Sequence, residues 1–307
     1  MISGKIGRWI EEFLRDRKFR VVANGYMSEE EEVTSGVPQG TVLAAILFVI
    51  MIYDIDENIK HSIVGCFADD TRINKKVNNE EDKKKLQEDL NTVYRWANDN
   101  MMKFNEQKFE QMVHGNSEEV EIEPYKTPNG ENIEIKNTVK DLGVLSTNDL
   151  MFKEHMDKII QSSRIIMGII LRTFSTRERE PMIRLFNTYI KSKLEYCCIV
   201  WSPVHQTYIN ELEKIQKSFT SNIKGLEDAD YHERLKQLGM YSLERRRERY
   251  MIIYGWQQIE GLKENIMELE TSWRCSGRLM ISKRIPYQVD GRRLKKTDIT
   301  KVHNSPA

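Results

Sequence analysis

Two short stretches carry side chains whose types and spacing could do chemistry. Residues 63–74, IVGCFADDTRIN, set Asp69 and Asp70 between two runs of β-prone residues, which predicts a hairpin with the carboxylates at its tip. Adjacent carboxylates offer the hard oxygen ligands that a divalent cation such as Mg²⁺ takes. In a chain with 47 Asp and Glu, a solvated turn is the plainer reading of one Asp-Asp pair. Against it stands the apolar approach through Val64, Cys66 and Phe67, expected to leave the acids at the edge of a core, where a bound cation offsets the cost of burying charge. The second stretch is SGVPQG, residues 35–40. After Ser35, Gly36 and Gly40 let backbone amides approach a ligand closely, Pro38 fixes the turn, and Gln39 presents a donor and an acceptor to a base or sugar edge.

These residues need elements to hold them. The loop runs into an apolar stretch of about twelve residues, 42–53, well short of the ~20 that span a bilayer, so no membrane partner is expected. Thr41 can cap a helix there, and Leu43, Leu47, Ile50 and Met51 recur at helical spacing, which predicts a buried helix. Downstream, Asn79 can cap a helix reaching about Asn98, with Leu86, Leu90, Val93 and Ala97 on the face turned to a sheet. Residues 118–134 are acidic, with Pro-Asn-Gly at 128–130, and read as a loop or hairpin. Beyond about residue 150 the periodicity becomes helical. Phe152, Met156, Ile159 and Ile160 mark one amphipathic helix, and Met182, Leu185, Phe186, Tyr189 and Ile190 another. The class expected is α+β, an antiparallel sheet with packed helices over residues 1–150, a mostly α-helical region over 151–262, and a flexible tail over 263–307. From residue 271 on, nine Lys and Arg face two Asp, so that tail is basic in a chain of zero formal net charge.

Other chemistries find no support. Cys66, Cys197, Cys198 and Cys275 have neither zinc-ribbon spacing nor a disulfide framework, and reduced thiols are expected. The six His show no paired-ligand spacing, and there is no P-loop. The charged N-terminal twenty residues lack the apolar core of a secretory signal, so an intracellular protein is expected, nucleus or cytoplasm left open. Trp201, Tyr196 and Tyr208 read as packing residues, with base stacking as the alternative. Arg164, Arg172, Arg177, Arg179, Arg184 and the cluster at 245–249 would touch a nucleic-acid backbone or simply face water.

SGVPQG, the apolar helix after it and FADDT about thirty residues on together resemble the palm of reverse transcriptases from non-LTR retrotransposons, especially the jockey-like group. The likeness continues through RWIEEFLRDRKFRVVANG, LQEDLNTVYRWANDNMMKFNEQKFEQMVHG, VKDLGVLSTNDLMFKEHMDKI and LEYCCIVWSP, covering roughly residues 5–262. The resemblance implies a partial right-hand polymerase palm followed by a thumb-like helical region. It implies an RNA template, a DNA primer and deoxynucleoside triphosphates as partners, and two Mg²⁺ ions on a turn carrying Asp69 and Asp70. Ser35, Gly36, Pro38, Gln39 and Gly40 would lie by template and incoming nucleotide. Asp69 is the expected principal ligand, because neighbours on a strand point to opposite sides. Lys108 matches a family lysine near the triphosphate, the alternative being an exposed surface lysine, and Phe109 stands where the family often has a small polar residue. TVKDLGVLSTND, with Gly143 at its turn, resembles the hairpin that grips the primer.

The family places a further metal-binding aspartate on a strand before the segment resembling RWIEEFL, and no such strand precedes it here. An N-terminally truncated polymerase, inactive alone, is therefore expected. The alternative is a non-catalytic remnant that binds nucleic acid or a protein through its tail and helices.

Overall fold

The computed structural model describes residues 2–115, 123–260 and 298–304. Cys275, residues 118–122 of the acidic stretch and residues 263–297 and 305–307 of the expected tail lie outside the described residues.

The chain opens with α1 (Gly4–Leu14), on which Trp9 and Phe13 stack one turn apart at 5.8 Å. Four two-residue strands follow, β1 (Lys18–Phe19), β2 (Val22–Ala23), β3 (Tyr26–Met27) and β4 (Glu31–Glu32), paired β1 with β4 and β2 with β3. The SGVPQG loop then enters α2 (Val42–Ile52), whose Thr41 hydroxyl accepts from the Ala44 N–H at 3.2 Å, the cap its sequence predicts. Its burial does not follow the expectation. Only Ala44 and Ile52 are buried, while Ile46 is 52% and Ile50 47% exposed. The helix is apolar all round, and among the described residues no element covers the side carrying Ile46, Val49 and Ile50.

The acidic pair does lie on a hairpin. β5 (Ile63–Phe67) and β6 (Asp70–Val77) pair antiparallel, from Ile63 opposite Asn74 to Phe67 opposite Asp70. Alternation sorts β6 into two faces: Thr71, Ile73 and Val77 are buried, Asp70, Arg72 and Asn74 only half so. Against the buried face packs α3 (Glu80–Asp99), with Leu86, Leu90, Val93, Tyr94 and Ala97 buried and the Asn79 side chain accepting from the Asp82 N–H at 2.9 Å. Asp89 on this helix is buried and accepts from the Lys60 and His61 N–H groups at 3.2 and 3.0 Å, tying the entry of β5 to the helix. The approach to the acids corrects the sequence reading. Val64 is half-buried against the core, but Cys66 is exposed and Phe67, at the end of the strand outside that core, is 65% exposed.

After a 3₁₀ turn at Glu106–Lys108 come β7 (Glu110–His114), β8 (Glu134–Ile135), β9 (Thr138–Asp141) and β10 (Val144–Thr147). The described part of the acidic stretch is a small hairpin. Ile133 N–H donates to Tyr125 O at 2.8 Å, Gly130 turns the tip at φ 81°, and Tyr125 and Ile133 are buried.

The remaining helices are α4 (Lys153–Thr173), α5 (Arg179–Leu185) continuing through a π-helical turn at Phe186–Lys191 into α6 (Ser192–Glu195), α7 (Cys198–Trp201), α8 (Gln206–Thr220), α9 (Tyr231–Leu238) and α10 (Leu243–Ile259). Met156, Ile160, Met182, Phe186 and Ile190 enter one core with Trp201, Leu212 and Phe219, as their spacing predicts, whereas Tyr189 faces outward. Val144 of β10 belongs to the same core, which joins the β9–β10 hairpin to the helices. A last strand, β11 (Asp298–Asn304), lies between β6 and β7 in the sheet order β5-β6-β11-β7-β8, antiparallel to both neighbours. Seven residues of the segment expected as a tail are therefore sheet.

His155 sits where α4 meets β10. Its ring is buried, Nδ1 accepts from the Leu145 N–H at 3.2 Å, and the Trp201 ring meets it edge-on at 5.4 Å. Burial, helped by Lys158, lowers its pKa from 6.5. The unfolded chain thus takes up this proton at higher pH than the folded one. The stability tied to neutral His155 is present above 6.5 and is lost as pH falls through the lower folded value. Urea midpoints measured from pH 7.5 downward are expected to drop below pH 6.5 in the native chain and to drop less in His155→Gln; parallel curves would refute the role.

Candidate functional site

The turn between β5 and β6 has two residues, Ala68 and Asp69. Ala68 is held at φ 52°, in the left-handed region, where an L-residue costs about 1–2 kcal/mol. Asp69 is exposed at the tip and Asp70, first residue of β6, is half-buried. Neither carboxylate makes a hydrogen bond or ion pair with any described residue.

A cleft of about 460 Å³ opens beside them, with Asp70, Lys108, Lys136, Lys140, Asp141 and Leu142 in its lining. Asp70 and Lys108 thus share one wall system, while Asp69 and residues 35–40 are not part of the lining. Lys108 ends the 3₁₀ turn, and the next residue explains its direction. Phe109 is buried against Tyr94 and Phe104, with ring centroids 5.3 and 5.8 Å away, so the backbone turns the lysine outward to the cleft. Lys136 donates to Glu110 at 2.6 Å and reaches Glu134 at 3.2 Å; the Glu110 hydrogen bond raises its pKa and holds its charge in place. Lys140 is exposed on β9.

The SGVPQG loop is shaped by two features. Gly36 and Gly40 take φ 74° and 83°, which excludes side chains there without strain, and the Arg17 Nη2 donates to Gly36 O at 2.6 Å. The Thr41 hydroxyl donates to Pro38 O at 2.9 Å. Ser35, Gly36, Gln39 and Gly40 are exposed and Pro38 half-buried. Arg17 has no local sequence signal, since its partner is nineteen residues away.

Several basic residues are committed within the protein. Arg164 pairs with Glu211 at 2.5 Å, Arg184 with Glu180 at 2.5 Å, Arg177 donates to Leu171 O and Arg179 to Gln237 at 3.2 Å. Arg172 stays exposed at the end of α4. In the cluster at 245–249, Arg245 lies over the Tyr241 ring at 4.7 Å, Arg246 forks onto Glu195, and Arg247 is buried. Of the aromatic residues, Trp201 is buried, Tyr208 packs at the core edge, and the Tyr196 hydroxyl donates to Leu142 O at 2.8 Å. Cys66 and Cys197 are exposed free thiols, and burial pushes the Cys198 thiol up to about 11. Among the described residues no helix is long and apolar enough to cross a membrane.

Asp69 and Asp70 are the donors a cation would meet. No cluster of three or more His, Cys, Asp or Glu able to hold a metal occurs among the described residues. Mg²⁺ does not need such a cage, since it keeps waters and is commonly held by one or two carboxylates together with substrate phosphates. Two adjacent carboxylates on one hairpin, without a partner among the described residues and with Asp70 at the cleft wall, fit that mode.

Residues 2–145 match the family model described as reverse transcriptase (RNA-dependent DNA polymerase). The RNA-directed DNA polymerase from mobile element jockey of Drosophila funebris is 25% identical over 236 residues, covering 73% of this chain and 26% of the relative. The jockey polymerase of Drosophila melanogaster is 24% identical over 229 residues, 70% of this chain and 25% of that protein. The probable RNA-directed DNA polymerase from transposon X-element of the same fly is 24% identical over 232 residues, 71% and 25%. The chain therefore spans about a quarter of the length of these curated relatives. No solved structure matches it.

Proposed function

We propose, from a chain whose residues 2–145 carry a reverse transcriptase domain of the non-LTR, jockey-like kind, that it serves RNA-directed DNA synthesis. The observation that carries this reading is the β5–β6 hairpin, which sets two adjacent carboxylates at the turn and the start of β6 and turns Asp70 into a cleft shared with Lys108 and Lys140. In this reading residues 1–150 are part of a polymerase palm and the helices from α4 to α10 a thumb-like region. The substrates are an RNA template, a DNA primer and deoxynucleoside triphosphates.

Asp69 and Asp70 would hold Mg²⁺ together with substrate phosphates, and the metal when bound supplies charge neutralisation at the reacting oxygens. The chain's own groups do the rest. In the transfer the primer 3′-oxygen bonds to the α-phosphorus as the bond to pyrophosphate breaks. Lys108 and Lys140, fixed on a 3₁₀ turn and a strand, face the growing negative charge of that leaving group. The β9–β10 hairpin bears on the primer, and the exposed Gln39 amide on the Gly36–Gly40 loop meets the edge of a base or sugar.

The test is incorporation of deoxynucleotides on a primed RNA template by the full chain, alone and joined behind a family segment that supplies a further metal-binding aspartate, alongside RNA–DNA hybrid binding at several salt concentrations. Synthesis dependent on Mg²⁺ in the joined form is the expected result. Binding that weakens with salt, without synthesis in either form, would instead favour a non-catalytic role on nucleic acid.

A further inference from the structure

We infer that Arg72 is a positioning residue: through its ion pair with Asp141 it fixes the β9–β10 hairpin against the acidic turn, while Tyr196 fastens the same hairpin tip to the helices. The inference rests on the polymerase reading for its consequence, the width of the cleft, and on geometry alone for the linkage.

Arg72 follows Asp70 by two residues on β6, so both side chains leave the same face of the strand. From there the Arg72 guanidinium crosses to the Asp141 carboxylate, the last residue of β9, with the two side chains only 24% and 13% exposed. Asp141 begins a two-residue turn, Leu142 and Gly143, that returns the chain to Val144. Both turn residues have positive φ, 44° and 87°, a geometry that suits glycine at Gly143 and strains Leu142. The strain persists because neighbours over-determine it. Tyr196 donates its hydroxyl to Leu142 O at 2.8 Å, its ring lies so close that a Cβ added at Gly143 would stand 3.4 Å from Cε1, and Val144 is buried in the helical core.

One short turn is thus held from two sides, by Arg72 on the sheet and by Tyr196 on the helices. Lys140, Leu142 and Leu145 line the cleft from this hairpin and Asp70 lines it from β6, so the Arg72–Asp141 pair spans the distance between the two walls. Loss of either charge frees the hairpin to swing and leaves the other charge half-buried without its partner.

Amide hydrogen exchange on the full chain reads the linkage directly. Arg72→Glu and Asp141→Arg should each speed exchange over β9 and β10 by roughly tenfold or more while α3 stays protected. The reversed pair, Arg72→Glu with Asp141→Arg, should restore protection to within about threefold, and Tyr196→Phe should loosen only the turn. A defined RNA–DNA hybrid supplies the second arm: the single variants should bind it roughly tenfold more weakly, and the reversed pair should recover. Unchanged exchange in the single variants, or a reversed pair as loose as the singles, overturns the inference. Exchange as expected, with no hybrid binding by either the native chain or the joined form, supports the linkage and defeats the polymerase reading.

Discussion

Asp70→Asn and Asp69→Asn should each lower Mg²⁺-dependent incorporation by several powers of ten in the joined form, the scale on which enzymes lose rate when charge stabilisation at the reacting centre is removed. Asn nearly preserves the size of Asp and keeps one oxygen acceptor, but it removes the charge that balances a divalent ion. The structure separates this effect from a folding defect. Neither carboxylate bonds to a described residue, so the hairpin loses no internal contact on substitution, and the thermal midpoint should stay within a degree or two. The two positions are also unequal. Asp70 lines the cleft with Lys108, whereas Asp69 stands exposed at the tip beyond a strained Ala68. Metal titration of each variant, read as the Mg²⁺ concentration for half-maximal incorporation, ranks them. Undiminished incorporation in both variants would remove the hairpin from the chemistry.

The hairpin was legible in the sequence because two strand-like runs flank the acids and nothing distant is needed to pair them. So were the Thr41 and Asn79 caps, whose partners lie three residues on. Burial was less legible, since it depends on what else is present. The all-apolar α2 reads as buried, yet its Ile46 and Ile50 side is open, and the apolar Phe67 lies at the end of its strand, outside the core. Long-range pairs left no local mark. Asp89 is 28 and 29 residues from the amides it accepts from, and Tyr196 is 54 residues from Leu142. The arginines of α4 and α5 read as candidates for a duplex backbone; the Arg184–Glu180 pair lies at i,i+4 spacing on one helix, but only the fold shows that Arg164 faces Glu211, 47 residues on. β11 escaped for a similar reason: DITKVHN alternates weakly, and its place between β6 and β7 is set by two ladders formed across the whole chain.

Trp201→Ala should cost about 3–5 kcal/mol of folding stability, the usual range for deleting a large buried aromatic side chain. Trp201 is 1% exposed in the helical core, its ring meets His155, and its indole N–H donates to Tyr196 O at 2.7 Å. Truncation removes packing on every side and leaves that carbonyl without its donor. Trp201→Phe separates the two losses, keeping most of the volume but not the hydrogen bond, and should cost about 1–3 kcal/mol. Urea unfolding at neutral pH measures both, with the slope unchanged if the denatured state is unaltered. The hydrogen bond has a reach beyond the core, because Tyr196 is also the residue whose hydroxyl holds the Leu142 turn. Losing the indole donor should therefore loosen the β9–β10 tip as well, and faster amide exchange at Leu142 and Gly143 in Trp201→Phe is the expected signature. A stability loss under 1 kcal/mol in Trp201→Ala would mean that the helical core does not close on this side chain, and the link from core to hairpin would fall with it.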